Sequence, residues 1–211
     1  MIECGIPIKE IKKGCGFALS EMRACLLTHS HKDHSKAAQD VLSVGIDLYC
    51  SEGTAQACAL TGHRVHIIRA LKQFRVGAWI ILPFDAKHDA DEPLSFLIAN
   101  GNEKLLFATD TLYVPYRFKG LTSVMLECNY SLDTLDENIM AGYVDQSRRS
   151  RLLESHMSLE QCKNTLLAND LSNVQEIHLL HLSSQNADAE RFKQEIQRLV
   201  GLPVYIAGQP I

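Results

Sequence analysis

The chain has 211 residues, 46% of them hydrophobic and 22% charged, which places it among ordinary globular proteins with a sizeable core and predicts one domain over residues 1–211. Its 25 acidic and 21 basic residues leave a net charge of -4, so no global positive field holds nucleic acid or anionic lipid, and any polyanion must be held locally. The longest apolar stretches, such as residues 78–84, fall far short of the roughly 20 residues that span a bilayer. The Met1-Ile2-Glu3-Cys4 start lacks the basic and apolar regions of a signal peptide. A cytoplasmic protein with no membrane association is the expectation. Seven cysteines are spread singly without a Cys-x-x-Cys pair, which fits reduced thiols serving as small core residues.

Short strand patterns alternate with helical ones, the signature of an α/β layered domain. The periodicity predicts a helix at 7–13, a strand at 23–28, a helix at 35–43, a strand at 47–50 and a helix at 52–60. Strands then dominate, at 64–68, 76–83, 94–99 and 104–109, the last two joined by Asn100-Gly101-Asn102, residue types that tolerate the positive φ of a hairpin turn. A strand follows at 123–128, then helices at 134–142, 146–154 and 159–168, the third opened by Ser158-Leu159-Glu160-Gln161 with capping-box spacing. Strand 176–182, helix 187–199 and strand 204–207 complete the series.

The densest chemistry follows the strand at 23–28, where the chain reads Thr28-His29-Ser30-His31-Lys32-Asp33-His34. In extended backbone, residues two apart point to one side, so His29 and His31 can converge on one cation. Asp33 and His34, where the chain turns into a helix, can reach a second. Imidazole and carboxylate suit zinc, with manganese or iron as alternatives. Further donors stand at predicted strand ends: His88 after the strand at 76–83, Asp110 after 104–109, and His181 within 176–182. His178 has the opposite parity to His181 and is expected to face away, while His63 and His66 accompany arginines and need no ligand role. Arg64, Arg69, Lys72 and Arg75 read as a solvated face.

This order, His29-x-His31-x-Asp33-His34 followed by His88, Asp110 and His181, resembles the ligand pattern of the metallo-β-lactamase-fold hydrolase superfamily over nearly the whole chain. The resemblance implies an α/β four-layer αββα sandwich and two divalent metal ions. His29, His31 and His88 would hold one, Asp33, His34 and His181 the other, and Asp110 would bridge. Antibiotic-hydrolysing members usually carry a cysteine ligand and no bridging Asp, which argues against β-lactam cleavage here. Thioester-cleaving glyoxalase-type members carry a large C-terminal helical domain, for which the residues after His181 leave no room.

Ser155-His156-Met157-Ser158 resembles motifs of the tRNA 3′-processing endonucleases and of small bacterial double-stranded DNA exonuclease relatives, and His181-Leu182-Ser183 with Asn186 resembles the closing motif of the latter. By that resemblance His156 is the general acid for the leaving oxygen and Asp33 orients the attacking hydroxide. Glu127-Cys128-Asn129-Tyr130 resembles a further segment, with no role assigned. Tyr113, Tyr116, Arg117 and Lys119, close after Asp110, are candidates for stacking on bases and holding phosphates. Arg148, Arg149 and Arg151 either do the same or are exposed helix charge.

Family members usually begin with two strands before an Asp/Glu-Cys/Ala-Gly segment, which here is Glu3-Cys4-Gly5 at the very start. Their absence would expose a sheet edge, and with it comes an expectation of self-association through that edge or of a true start further upstream. The leading expectation is a binuclear metal hydrolase acting on a phosphodiester, with nucleic acid or a small phosphodiester as partner. The alternatives are a carboxylic ester, lactone or thioester hydrolase with the same centre, and a metal-binding scaffold without turnover.

Overall fold

Short apolar runs ending in polar clusters set the strands. The computed structural model describes residues 1–208, apart from the side chain at position 148, and places these strands in two units, Met1–Asp85 with Asp89–Phe96 and Ala86–His88 with Leu97–Ile211.

In the first unit, β1 (Ala24–Leu26), β2 (Asp47–Cys50) and β3 (Val65–Ile67) form a parallel sheet in that order, with Ala24 opposite Asp47 and Leu48 opposite Val65. Helices α1 (Ile8–Gly14), α2 (Lys32–Ser35), α3 (Ala38–Ser43) and α4 (Glu52–Ala57) accompany it, and Cys4, Ile11, Cys25, Leu27, Val41 and Leu48 belong to one buried core cluster. Residues 1–3 line the outer edge of β1: Leu26 N–H donates to Met1 O at 3.0 Å and Glu3 N–H to Leu26 O at 2.9 Å. The edge of β1 expected to lie open is therefore paired at these positions.

Two elements differ from the sequence reading. The helix expected over 35–43 is two helices, α2 and α3, with a break at Lys36 and Ala37. The N-terminal segment takes up backbone groups there, as Cys4 N–H donates to His34 O and Ala37 N–H to Cys4 O, both at 2.9 Å. The strand expected over 76–83 is a hairpin of β4 (Phe74–Val76) and β5 (Trp79–Asp85), antiparallel with Val76 opposite Trp79. Gly77 adopts φ +58°, the left-handed conformation that a two-residue turn requires and that the continuous apolar run concealed. A single 3-10 turn, Leu19–Glu21, was not anticipated.

Strand β6 (Leu94–Asn100) begins in the first unit, beside β5, and continues into the second. There the order is β10-β9-β8-β7-β6, with β7 (Glu103–Ala108), β8 (Ser123–Glu127), β9 (Glu176–Leu180) and β10 (Val204–Ile206) parallel. Gly101 turns the β6–β7 hairpin at φ +57°, as expected of Asn-Gly-Asn. Helices α5 (Leu132–Met140), α6 (Gln146–Ser155), α7 (Leu159–Ala168) and α8 (Ala189–Val200) complete the unit, and Ser158 and Gln161 make the reciprocal capping box of α7. Because β7, β8 and β9 are parallel, their carboxyl ends lie at one edge, which is where open α/β sheets carry their sites. Among the described residues no helix is long and apolar enough to cross a membrane.

All seven cysteines are free thiols, and Cys4, Cys25, Cys50, Cys128 and Cys162 are buried. Burial, the larger effect, pushes the Cys50 thiol up to about 12, and Cys128 is raised by burial and by its hydrogen bond with Cys162. Iodoacetamide labelling of the native protein read by mass spectrometry is expected to mark Cys15 and Cys58 first; early labelling of Cys50 or Cys128 would show the core to be open. A Cβ on Gly5 would lie 1.5 Å from the Asp33 carbonyl oxygen, whereas one on Gly14 meets nothing within 4 Å. Gly5→Ala is expected to lower Tm by roughly 5 °C or more, with Gly14→Ala near wild type, as calorimetry would show.

Candidate metal centre

In the first unit, β1 leads into Thr28 and His29, both buried, before the chain turns at His31 into α2. The rings of His29 and His31 lie edge-on with centroids 4.7 Å apart, and those of His29 and His34 are tilted at 4.3 Å. Three imidazoles this close cannot all be protonated cheaply, because like charges at such separation repel. Neutral rings presenting lone pairs are what a divalent cation binds. Two supports fix the rings. Glu3 accepts from His34 Nδ1 at 2.5 Å through one carboxylate oxygen and from Thr28 N–H at 2.9 Å through the other, while Thr28 Oγ1 bonds His29 Nδ1 at 2.9 Å. A proton held on His34 Nδ1 leaves Nε2 as the electron-pair donor. Asp33 is exposed, its Oδ2 3.5 Å from His34 Nε2.

In the second unit, β7, β8 and β9 deliver Asp110, Glu127 and His181, and the turn between α6 and α7 delivers His156. One ligand atom from each of these four lies within 4.8 Å of the others. Glu127 is fully buried at the end of β8 and organises them. Its Oε1 accepts from His156 Nδ1 at 2.7 Å and lies 3.1 Å from His181 Nδ1; its Oε2 accepts the N–H of Thr111 at 2.8 Å and of Met157 at 3.2 Å. Asp110 Oδ1 lies 3.2 Å from His181 Nδ1 and 3.5 Å from His156 Nδ1. Asn129 donates to the His181 carbonyl at 2.7 Å.

His88 belongs to the same unit. Its Nδ1 donates to the Ser155 carbonyl at 2.9 Å, so Nε2 carries the lone pair, and that atom faces Asp110 Oδ1 across 3.7 Å. Two electron-rich buried atoms facing each other favour a cation between them. The donors of each unit, imidazole and carboxylate with hydrogen-bonded supports behind them, therefore fit a divalent ion such as zinc. Asp110 and His181 both adopt positive φ, +47° and +52°, as does Glu3 at +63°. For residues with a Cβ this costs on the order of 1 kcal/mol or more each and persists where the surroundings over-determine it.

Glu3 and Glu127 carry no role in the sequence reading, although both stand in segments it singled out. The available signal was an acidic residue closing an apolar run, Val124-Met125-Leu126-Glu127, where burial forces the carboxylate to find donors. Of the expected substrate contacts, Tyr113, Arg117 and Lys119 are exposed on the irregular segment after Asp110. Tyr116 is half-buried with its ring 6.3 Å from Phe118. Among the other histidines, His178 stacks on Tyr205 at 5.2 Å and His66 on Tyr49 at 4.5 Å, while His63 lies in the turn before β3.

Residues 16–181 match the sequence profile of the beta-lactamase superfamily domain. The chain is similar to the exodeoxyribonuclease WalJ of Streptococcus pneumoniae, at 28% identity over 179 residues that cover 79% of this chain and 65% of WalJ. It thus spans slightly under two thirds of that relative's length. It is also similar to the exodeoxyribonuclease YycJ of Bacillus anthracis, at 27% identity over 197 residues, covering 86% of this chain and 72% of YycJ. Among solved structures, the metallo-beta-lactamase fold protein YhfI of Bacillus subtilis superposes with a TM-score of 0.73 at 17% identity, over 98% of this chain and 83% of that one.

Replacing Glu127 with Ala strips the acceptor from two imidazoles and two backbone N–H groups and is expected to cost on the order of 3 kcal/mol or more. Glu127→Gln, which keeps the shape, should fall between it and wild type. Urea unfolding measures both; wild-type stability in Glu127→Ala would refute this account of the buried carboxylate.

Proposed function

Because the chain belongs to the β-lactamase superfamily and has the metallo-β-lactamase fold, we propose that it is a metal-dependent hydrolase that cleaves phosphodiester bonds in nucleic acid, with zinc as the first candidate ion and manganese or iron next. The proposed ligand sets are His29, His31 and His88 for one ion and Asp33, His34 and His181 for the other, with Asp110 shared. What supports them is the donor chemistry within each unit and the family to which the chain belongs. Two divalent ions, when bound, would lower the pKa of water and offset the charge that develops on the phosphoryl oxygens.

The observation that carries the phosphodiester reading is the bond between His156 and the buried Glu127. The carboxylate accepts from Nδ1 at 2.7 Å, which sets the ring orientation and stabilises the imidazolium, so that Nε2–H is the proton donor. An alkoxide leaving group needs such a proton more than the better leaving group of an activated ester does. Asp33, exposed at the start of α2, orients the attacking water. Tyr113, Tyr116, Arg117 and Lys119 remain proposed contacts to the strand, supported by the exposure of Tyr113, Arg117 and Lys119. The exodeoxyribonuclease relatives favour DNA as the polymer.

Metal analysis together with hydrolysis of bis(p-nitrophenyl) phosphate and of a simple lactone tests the proposal. His156→Ala is expected to retain its metal and lose roughly 100-fold or more in kcat on the phosphodiester. Asp110→Asn is expected to lose metal. Cleavage of the lactone alone would replace the reading with a carboxylic ester hydrolase, and metal-loaded protein inactive on both substrates would leave only a binding scaffold.

A further inference from the structure

Beside His156 the second unit has a cleft of about 420 Å³ lined by Val144, Arg151, Leu152, His156, Ser183, Gln185 and Asn186. Its size falls in the range of small-molecule sites, roughly 300–1,000 Å³. Helix α6 supplies one wall. The turn after His181 supplies the other, and its own hydrogen bonds decide which polar atoms are left to line the cleft.

Ser183 Oγ accepts the N–H of Asn186 at 3.1 Å, which closes the turn and leaves the hydroxyl proton to donate. Asn186 is buried, and its Oδ1 accepts from Asn138 Nδ2 at 3.0 Å, so the remaining function of that amide is its two N–H donors. Arg151 adds a guanidinium, and no carboxylate stands among the lining residues. A wall rich in donors and without an acid suits an anion.

The rest of the cleft is apolar. Val144 is buried and Leu152 packs with it in the cluster around Tyr130. Tyr143, next to Val144 in the turn between α5 and α6, is 76% exposed. An exposed aromatic beside a donor-rich cleft suits a nucleobase next to a phosphate.

His156 lines the cleft while its Nδ1 is held by Glu127, so a proton leaving Nε2 passes to an oxygen between the scissile bond and the cleft. Resting on the phosphodiesterase reading above, we propose that this cleft binds the departing nucleotide, its phosphate on Arg151, Ser183 and Asn186 and its base against Tyr143. The site is separate from the Tyr113–Lys119 segment and would set how the end of a strand is gripped.

Calorimetric titration of the purified full chain with deoxyadenosine 5′-monophosphate, and separately with inorganic phosphate, tests this. Arg151 and Tyr143 are exposed, so their variants keep the fold. Arg151→Gln is expected to weaken nucleotide binding at least tenfold, Tyr143→Ala to weaken the nucleotide but not phosphate, and Arg198→Gln, on α8, to match wild type. No nucleotide binding, or binding that neither variant weakens, overturns the proposal. Loss in Arg151→Gln alone, equal for nucleotide and phosphate, overturns the nucleotide assignment in favour of a plain anion site. The parallel assay on bis(p-nitrophenyl) phosphate separates the two readings. Hydrolysis without nucleotide binding removes the cleft and leaves the phosphodiesterase, while variant-sensitive nucleotide binding without hydrolysis keeps the cleft as a nucleotide site and removes the reaction.

Discussion

A buried carboxylate must be surrounded by donors or it will not stay charged, and in the second unit that constraint falls on Glu127. Four groups meet it: the rings of His156 and His181 and the backbone N–H groups of Thr111 and Met157. They come from three separate places, the loop after β7, the turn between α6 and α7, and the end of β9. One residue at the end of β8 thus holds three chain segments in register. It also explains why Asp110 and His181 tolerate left-handed backbone, since their neighbours are tied down on both sides: Thr111 also accepts from Lys87 N–H through its hydroxyl, and the His181 carbonyl is taken by Asn129.

Glu3 does the same work on a smaller scale in the first unit. It bonds His34 and the backbone of Thr28, and the chain beside it passes so close to α2 that Gly5 has no room for a side chain. The break between α2 and α3 follows from that approach, because Cys4 takes a carbonyl and an N–H that a continuous helix would have used. In both units, then, a glutamate outside the proposed ligand set holds the histidines that belong to it.

The arrangement of His156 links this scaffold to chemistry. A histidine at the end of α6 with Nδ1 held by a carboxylate is oriented before substrate arrives, which is the economical way to place a proton donor. The cleft on its far side is built from the same α6 and from the turn that His181 begins. Orientation of the acid and grip on a departing group therefore share their supports.

Much of this was legible without coordinates. The spacing of His29, His31, Asp33 and His34 and the order of His88, Asp110 and His181 marked the donor set, because the residue types that bind cations are rare enough in such a pattern to stand out. The Asn-Gly-Asn hairpin and the α7 capping box were legible too, since each depends on residues within four positions of one another. What the sequence alone could not decide were features whose partners lie far apart in the chain. The roles of Glu3 and Glu127 depend on donors about 15–50 residues away, the helix break at Lys36–Ala37 depends on Cys4, and the donor character of Asn186 depends on Asn138. Sequence by itself determined which atoms could bind a cation. Tertiary structure decided which of them are held in place, because a hydrogen bond constrains a side chain only once folding has brought its partner within 3 Å or so.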